Sequence, residues 1–557
     1  MIFKNITDLK IKTILILFFF HNLYYSTIGG TTYDELGYRF GSNTILKTFI
    51  DILKLDFNSA RSYYSDLEYY GQLVLMPSYL FSHFMSTYVL TGLDYSIFKF
   101  NSYDDKFYFM SHFFLTVYII TILFFIYKLI KSQRSEKFAV LFVALLLFVP
   151  SFSGHSLFNL KDIPFALHFF IVMLCIDKHF TFFKNNIYLP KRDLFIYGIA
   201  LGALLTIRIN AIPFIGIFIL FYLQEIKNMN KTKEYIKSYF RIGSIGISFL
   251  ILLTPSMWIE PISWWKLAIE NQFLLPWPGS TLVNGNFVIA TEMSSSYLFT
   301  FFLYKMPINF ILLTLIFIVL LFFKQNTNMF ATKCLYFFTA VNILFIIFRP
   351  TAYDGLRQYI FLILPVTYLV SETIFYFENK QNFFKFFLVL NIAYLIATQV
   401  SLGAYKYIYF NELVDENSLA ISCNNVDGCG DWGTDYWGYS GKEIAHFINE
   451  NINDGFLLVC RPDVSIKTYL NSDSTNLVYN SQLDPISIKK LNYTTTDTTV
   501  LKDLKLDSFY IASFHRPRLN ENSCFLDPEI YCEDLYIEIA KLRGTEVNLS
   551  YIKKCNL

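Results

Sequence analysis

Two carboxylates stand side by side in Thr31-Thr-Tyr-Asp-Glu35, just past the first apolar run of the chain. A carboxylate there can serve as a general base, which needs ionisation and hydrogen-bond reach of the proton it takes. The spacing from Thr32 to Glu35 also matches a capping box, in which the acids merely open a helix. A second cluster is His155-Ser-Leu-Phe-Asn-Leu-Lys-Asp-Ile-Pro164, with Lys161 and Asp162 adjacent. Asp162 ahead of Ile163-Pro164 reads as a helix N-cap with proline in the first turn, which does not preclude a second role. His155 is a lone histidine and reads as structural unless a site claims it. Arg208 and Asn210 cap a short hairpin of apolar segments, where the arginine either snorkels to an interface or supplies fixed charge. Tyr353-Asp-Gly-Leu-Arg357 joins a turn signal to a nearby arginine. Arginine forks are well suited to holding a phosphate that leaves.

The elements that must position these residues are membrane spans. Of 557 residues, 54% are hydrophobic and 16% charged, with 61 Phe and 40 Tyr. That is too apolar for a soluble protein of this length. The net charge of +2 carries no bias toward nucleic acid. Apolar runs lie at 11–28, 107–127, 138–153, 163–178, 194–207, 210–224, 240–256, 305–323, 333–348, 357–377 and 384–404, giving about eleven candidate spans by length. The first is read as a retained span, because no small-x-small cleavage site follows closely. Gln72 to Leu90 reads as an interfacial or re-entrant helix inside a large first loop, 29–106.

With the N-terminus in the cytoplasm, alternate loops collect the cations. Lys128, Lys131, Arg134 and Lys137 fall in one, and Lys227, Lys231, Lys233, Lys237 and Arg241 in another. That is the positive-inside pattern. Asp34, Lys161, Asp162, Arg208 and Arg357 then share the outer face. Charges near hydrocarbon are costly, so their gathering on one face favours a shared site.

The tail, 405–557, is polar and reads as mixed α/β. Ser440 to Glu443 is a capping box opening a helix through Asn451. Phe456 to Cys460 and Phe509 to Phe514 read as strands, and Tyr536–Lys541 with Val547–Ile552 as a hairpin around Arg543-Gly544. The close cysteines Cys423/Cys429 and Cys524/Cys532 are either disulfides or unpaired thiols, and neither pair has the CxxC spacing of a zinc site.

The order of the motifs resembles the GT-C superfamily of lipid-dependent glycosyltransferases. Its nearest branches are the protein O-mannosyltransferases (glycosyltransferase family 39) and the bacterial aminoarabinose and lipopolysaccharide sugar transferases. The resemblance rests on Thr31–Glu35 after a short first span, Tyr69-Tyr-Gly71, Phe158-Asn-Leu-Lys-Asp-Ile-Pro164, Arg208, Tyr353–Arg357 and Asp435-Tyr-Trp-Gly438. The His-Pro-Pro element of the mannosyltransferases is missing from the first loop, which leaves the sugar open.

The resemblance implies an α-helical polytopic membrane protein, with 1–404 as a GT-C-like catalytic domain and 405–557 as a small extracytoplasmic α/β domain. It implies transfer of a sugar, with inversion, from an undecaprenyl- or dolichyl-phosphate donor to a protein, lipid or glycan acceptor. Asp34 would be the base and Glu35 its support. Asp162 would orient the acceptor or help hold a metal. Arg357, Arg208 and Lys161 would hold the phosphate, with His155, Asn210 and Tyr353 completing the substrate-binding set. Asp34, Glu35 and Asp162 would be the oxygen ligands of Mg²⁺ or Mn²⁺ if one is used. The expected location is the bacterial inner membrane, with the tail periplasmic. A lipid-linked glycan polymerase or ligase, or a multispan transporter, are the alternatives. A transporter would show paired halves and mid-membrane charge, and the sequence shows neither.

Overall fold

The structure, a computed structural model, describes residues 8–62, 66–90, 100, 102–185, 189–228, 232–273, 277, 279–325, 327–377, 382–419, 430–452, 454–459, 463–471, 476–479, 508–514 and 531–556. Long apolar runs become helices because a helix satisfies its backbone N–H and C=O groups internally, as hydrocarbon demands. Among the described residues, six helices are long and apolar enough to cross a membrane: Leu9–Ile28, Tyr103–Gln133, Asp162–Lys184, Thr232–Leu253, Met329–Phe348 and Arg357–Phe377. A bent pair, Tyr297–Lys305 and Ile308–Phe322, makes a seventh if counted as one; its members meet at 113° around Met306-Pro307. The chain is a polytopic helical membrane protein with a small C-terminal sheet.

The other apolar runs are helical too, but among the described residues fewer reach full span length than the eleven runs suggest. Glu136–Phe148 has 13 residues, because Val149 turns extended ahead of Pro150. Lys191–Ile207 has 17. Composition alone does not reveal such breaks. The short Lys191–Ile207 helix is held by close packing on Thr232–Leu253. A Cβ at Gly202 would lie 2.7 Å from the Gly246 carbonyl oxygen, and one at Gly198 would meet Ile245 at 2.5 Å. Gly198-Ile-Ala-Leu-Gly202 is thus a small-residue contact face of the kind that brings membrane helices together. Part of the Phe excess also turns inward: Phe138, Phe142, Phe152, Phe158 and Phe170 are fully buried.

The bundle has two chemically distinct ends. At one, Arg134 pairs with Glu372 at 2.5 Å and Lys131 with Asp8 at 3.0 Å. At the other, on the same helices, lie Asp105, His112 and Arg357. Arg357 and Glu372 are 15 residues apart, which is about 22 Å of helix. The candidate site belongs to the end away from Arg134.

Among the described residues, the C-terminal sheet has five strands in the order Asn476–Tyr479, Asp454–Val459, Ser508–Phe514, Thr545–Asn556, Tyr531–Leu542. The first three run parallel and the last three antiparallel. Ile444, Ala445 and Ile448 of the Gly441–Asn451 helix pack on Leu457, Ala512 and Ile552. The expected hairpin is present but longer, and turns through Arg543 and Gly544 at φ 54° and 84°. The expected capping box at Ser440 does not form. Ser440 is already helical, and its hydroxyl donates to Asp435 Oδ2 at 2.6 Å.

Cysteine pairing also differs from sequence proximity. Register sets Cys532 opposite Cys555, with Cα atoms 4.1 Å apart, and these two form the disulfide. Cys423, Cys429, Cys460 and Cys524 lie outside the described residues. The bond closes a 23-residue separation, so its removal as C532S/C555S is expected to cost about 3 kcal/mol. Limited proteolysis of the full chain across a urea series should show the C-terminal strands cut at lower urea in the variant; identical curves would contradict this.

Candidate active site

Thr32 has extended backbone (φ −95°, ψ 161°) and opens the helix Tyr33–Leu53. Its N–H donates to Glu35 Oε2 at 2.8 Å, so the capping box forms. The other Glu35 oxygen lies 2.7 Å from His112 Nε2, and both side chains are buried. Glu35 is occupied in pinning the first loop to Tyr103–Gln133. Asp34 points elsewhere on the helix, since successive residues are about 100° apart, and 24% of its side chain stays exposed. Asp34 Oδ2 accepts from Arg357 Nη1 at 3.0 Å and from the Tyr38 hydroxyl at 3.4 Å.

Asp162 is not the cap of its helix. Asn159 Oδ1 takes that role, accepting from Asp162 N–H at 2.8 Å and Lys161 N–H at 3.2 Å. The Asp162 carboxylate is thereby available to the side chain of Arg208, with which it forms a short ion pair. Asn159 Nδ2 donates to its second oxygen at 2.9 Å. Arg208 does not merely snorkel.

Lys161 behaves differently. It makes no ion pair among the described residues; its ammonium sits over the rings of Tyr70, at 4.7 Å, and Tyr38, at 5.4 Å. Burial, with Arg208 close by, brings it down to about 8, against the opposing pull of Asp162 and Asp34. It faces a cleft of about 220 Å³ lined by Lys161, Arg208, Asn210, Tyr353 and Gln358, with aromatic walls from Tyr70, Phe165, Phe214 and Phe361. No Asp or Glu lines this cleft among the described residues. Two cations on an aromatic wall form a receptor for an anion with an apolar tail.

Arg357 is near the cleft but is not on its wall. Its guanidinium lies over Trp437, at 4.4 Å, and over Tyr353, at 4.9 Å. Besides Asp34 it meets Asp354 at 3.4 Å. Asp354 and Gly355 form the expected turn, both with positive φ, and the turn delivers Asp354 to the arginine. Tyr353 links the two parts, lining the cleft while its hydroxyl accepts from Arg357 Nη2 at 3.5 Å. His155 is not brought to the cleft. It is buried, 3.1 Å from Asn159 Nδ2 and 3.2 Å from the Tyr436 hydroxyl. Burial drives its pKa down to about 3, so it stays neutral.

Asp34, Glu35 and Asp162 do not converge. Each carboxylate has a different partner, and no group of three or more His, Cys, Asp or Glu gathers at one point among the described residues. The set expected to hold Mg²⁺ or Mn²⁺ does not fit one. Sequence reasoning missed His112, Asn159, Tyr38 and the reach of Trp437. A histidine inside the apolar run Tyr103–Gln133 was the signal for His112; Trp437 stands in the motif Asp435-Tyr-Trp-Gly438, but its partner depends on how the tail docks.

No family model and no curated protein matches the chain. Among solved structures it resembles ArnT from Cupriavidus metallidurans, crystallised bound to undecaprenyl phosphate. Identity is 11%, with 87% of this chain and 93% of that chain covered, at a TM-score of 0.40. So loose a likeness carries no function across.

Proposed function

We propose that the chain is an integral membrane glycosyltransferase that moves a sugar from a polyprenyl-phosphate donor to a protein, lipid or glycan acceptor on the extracytoplasmic face. The observation that carries this reading is the cleft. Lys161 and Arg208 stand on an aromatic wall, joined through Tyr353 and Arg357 to the partly exposed carboxylate of Asp34. The lipid phosphate binds Lys161 and Arg208, and the polyprenyl chain runs along Phe165, Phe214 and Phe361. An acceptor hydroxyl attacks the anomeric carbon from the side opposite the phosphate. The bond from carbon to phosphate oxygen breaks, its electron pair leaves with the phosphate, and the hydroxyl proton passes to Asp34. Configuration inverts. Arg357 then serves to hold Asp34 rather than to bind phosphate directly. Asp162 orients Arg208.

The distribution of Lys and Arg between loops supports a cytoplasmic N-terminus and a periplasmic tail, and the Cys532–Cys555 disulfide accords with an oxidising compartment.

Lys161→Met is expected to raise the donor KM about tenfold, the worth of one charge-assisted hydrogen bond, with acceptor KM unchanged. The pH dependence has a definite sign. Lys161 is charged below about 8 and neutral above it. Donor KM in the wild type therefore rises as pH climbs through about 8, and stays flat in Lys161→Arg. Steady-state transfer in nanodiscs checks both. An unchanged KM and a flat profile would sink the phosphate role. Sugar flux into sealed vesicles without a new glycosidic bond would favour a transporter.

A further inference from the structure

Trp437 contacts Arg357 and the residue next to Asp34, although it lies some 400 residues from Asp34 and 80 from Arg357. Its ring lies under the Arg357 guanidinium at 4.4 Å, and its carbonyl accepts from the N–H of Tyr33, next to Asp34, at 3.1 Å. Two residues on, the Tyr439 carbonyl accepts from Gly30 N–H at 2.9 Å. The segment holding Trp437 is itself rigid. Asp435 is fully buried and accepts from the N–H groups of Tyr439 and Ser440, both at 2.9 Å, from the Ser440 hydroxyl and from the Tyr407 hydroxyl. Gly438 supplies φ 72° for the turn that follows. The indole edge is fixed by His155 at 5.5 Å and Phe158 at 5.4 Å. A second tie, Lys442 to Asp105 at 3.1 Å, clamps the Gly441–Asn451 helix that follows to the bundle through two buried charges.

We infer that Trp437 is a positioning residue for the Asp34–Arg357 pair, so that the chain after the membrane bundle completes the catalytic site. Asp34 is carried on the start of a helix and Arg357 on the start of a distant one. With the Trp437 ring at 4.4 Å and the Tyr353 ring at 4.9 Å, the guanidinium is restrained while its Nη1 meets Asp34. This inference rests on the proposed sugar transfer for its catalytic meaning, and on the geometry alone for the contact.

The test uses the full chain in nanodiscs, with the same polyprenyl-phosphate sugar as donor. Trp437→Leu is expected to lower kcat about tenfold, the factor for losing a desolvated cation–aromatic contact, with donor KM within about threefold of wild type because the Lys161 and Arg208 wall is untouched. Trp437→Phe, which keeps a ring face, should recover most of the loss. Trp437→Leu combined with Arg357→Lys should cost no more than the worse single variant. A Leu variant equal to wild type, a Phe variant as poor as Leu, a loss confined to donor KM, or additive losses in the double variant would each overturn the inference. Should Trp437→Leu fail to accumulate, Trp437→Met, which also removes the ring face, and its double with Arg357→Lys carry the same test. A wild type that transfers no sugar overturns the function instead. The contact is then still decided by the thermal-denaturation cycle of Trp437→Leu with Arg357→Met, each of which removes one partner, where additive shifts would refute it.

Discussion

Asp34→Asn is expected to cut kcat about 1,000-fold, the scale of losing a general base, while the protein remains folded in the membrane. The change is isosteric and keeps an acceptor oxygen for the Tyr38 hydroxyl. Arg357 retains Asp354 at 3.4 Å, so the buried guanidinium is not stranded. Loss of activity is therefore separable from loss of fold. Glu35→Gln makes the contrast, because Glu35 is held by Thr32 and His112. Its substitution should weaken folding and leave kcat per folded molecule nearly unchanged. Transfer rates normalised to the monodisperse fraction on size exclusion measure both. Near-normal transfer by Asp34→Asn would end the base assignment.

Arg208→Met is expected to destabilise the chain by about 3 kcal/mol or more, because it leaves the Asp162 carboxylate buried without its countercharge. Asp162 is only 2% exposed and Arg208 13%, so water cannot replace the lost partner. Adding Asp162→Asn should restore most of that stability, since a neutral amide keeps the hydrogen bond with Asn159 and carries no charge to strand. Donor affinity should stay lost in both, because the cleft has lost one of its two cations. Thermal denaturation in nanodiscs reads the first effect and donor KM the second. An Arg208→Met protein as stable as wild type would mean that the pair does not bear on folding.

Much of this arrangement was legible in the residues. The apolar runs marked the helices, and the turn at Tyr353-Asp-Gly-Leu-Arg357 sits where its composition put it. Clustering Asp34, Asp162, Arg208 and Arg357 on one face followed from alternating loops alone. The partners within that cluster were not legible. Asp34 goes to Arg357 and Asp162 to Arg208, a choice made by helix packing that no local spacing encodes. Asn159 displaced Asp162 as the cap because an amide two and three residues ahead reaches both N–H groups, a geometry that the Asp-Ile-Pro pattern hides. Glu35 read correctly as a cap partner, since a capping box is a local motif. The Cys532–Cys555 bond escaped notice for the opposite reason: cross-strand register, not proximity in sequence, brings the two together.

The central claim is that the cleft beside Asp34 holds the phosphate of a polyprenyl lipid. Determining the structure of the full chain with undecaprenyl phosphate added tests it most directly, and needs no knowledge of the sugar or the acceptor. Phosphate density is expected within hydrogen-bond reach of Lys161 Nζ and the Arg208 guanidinium, with the lipid chain leaving along Phe165, Phe214 and Phe361. Lipid density at the opposite end of the bundle near Arg134, or a cleft that stays empty at saturating lipid, would contradict it.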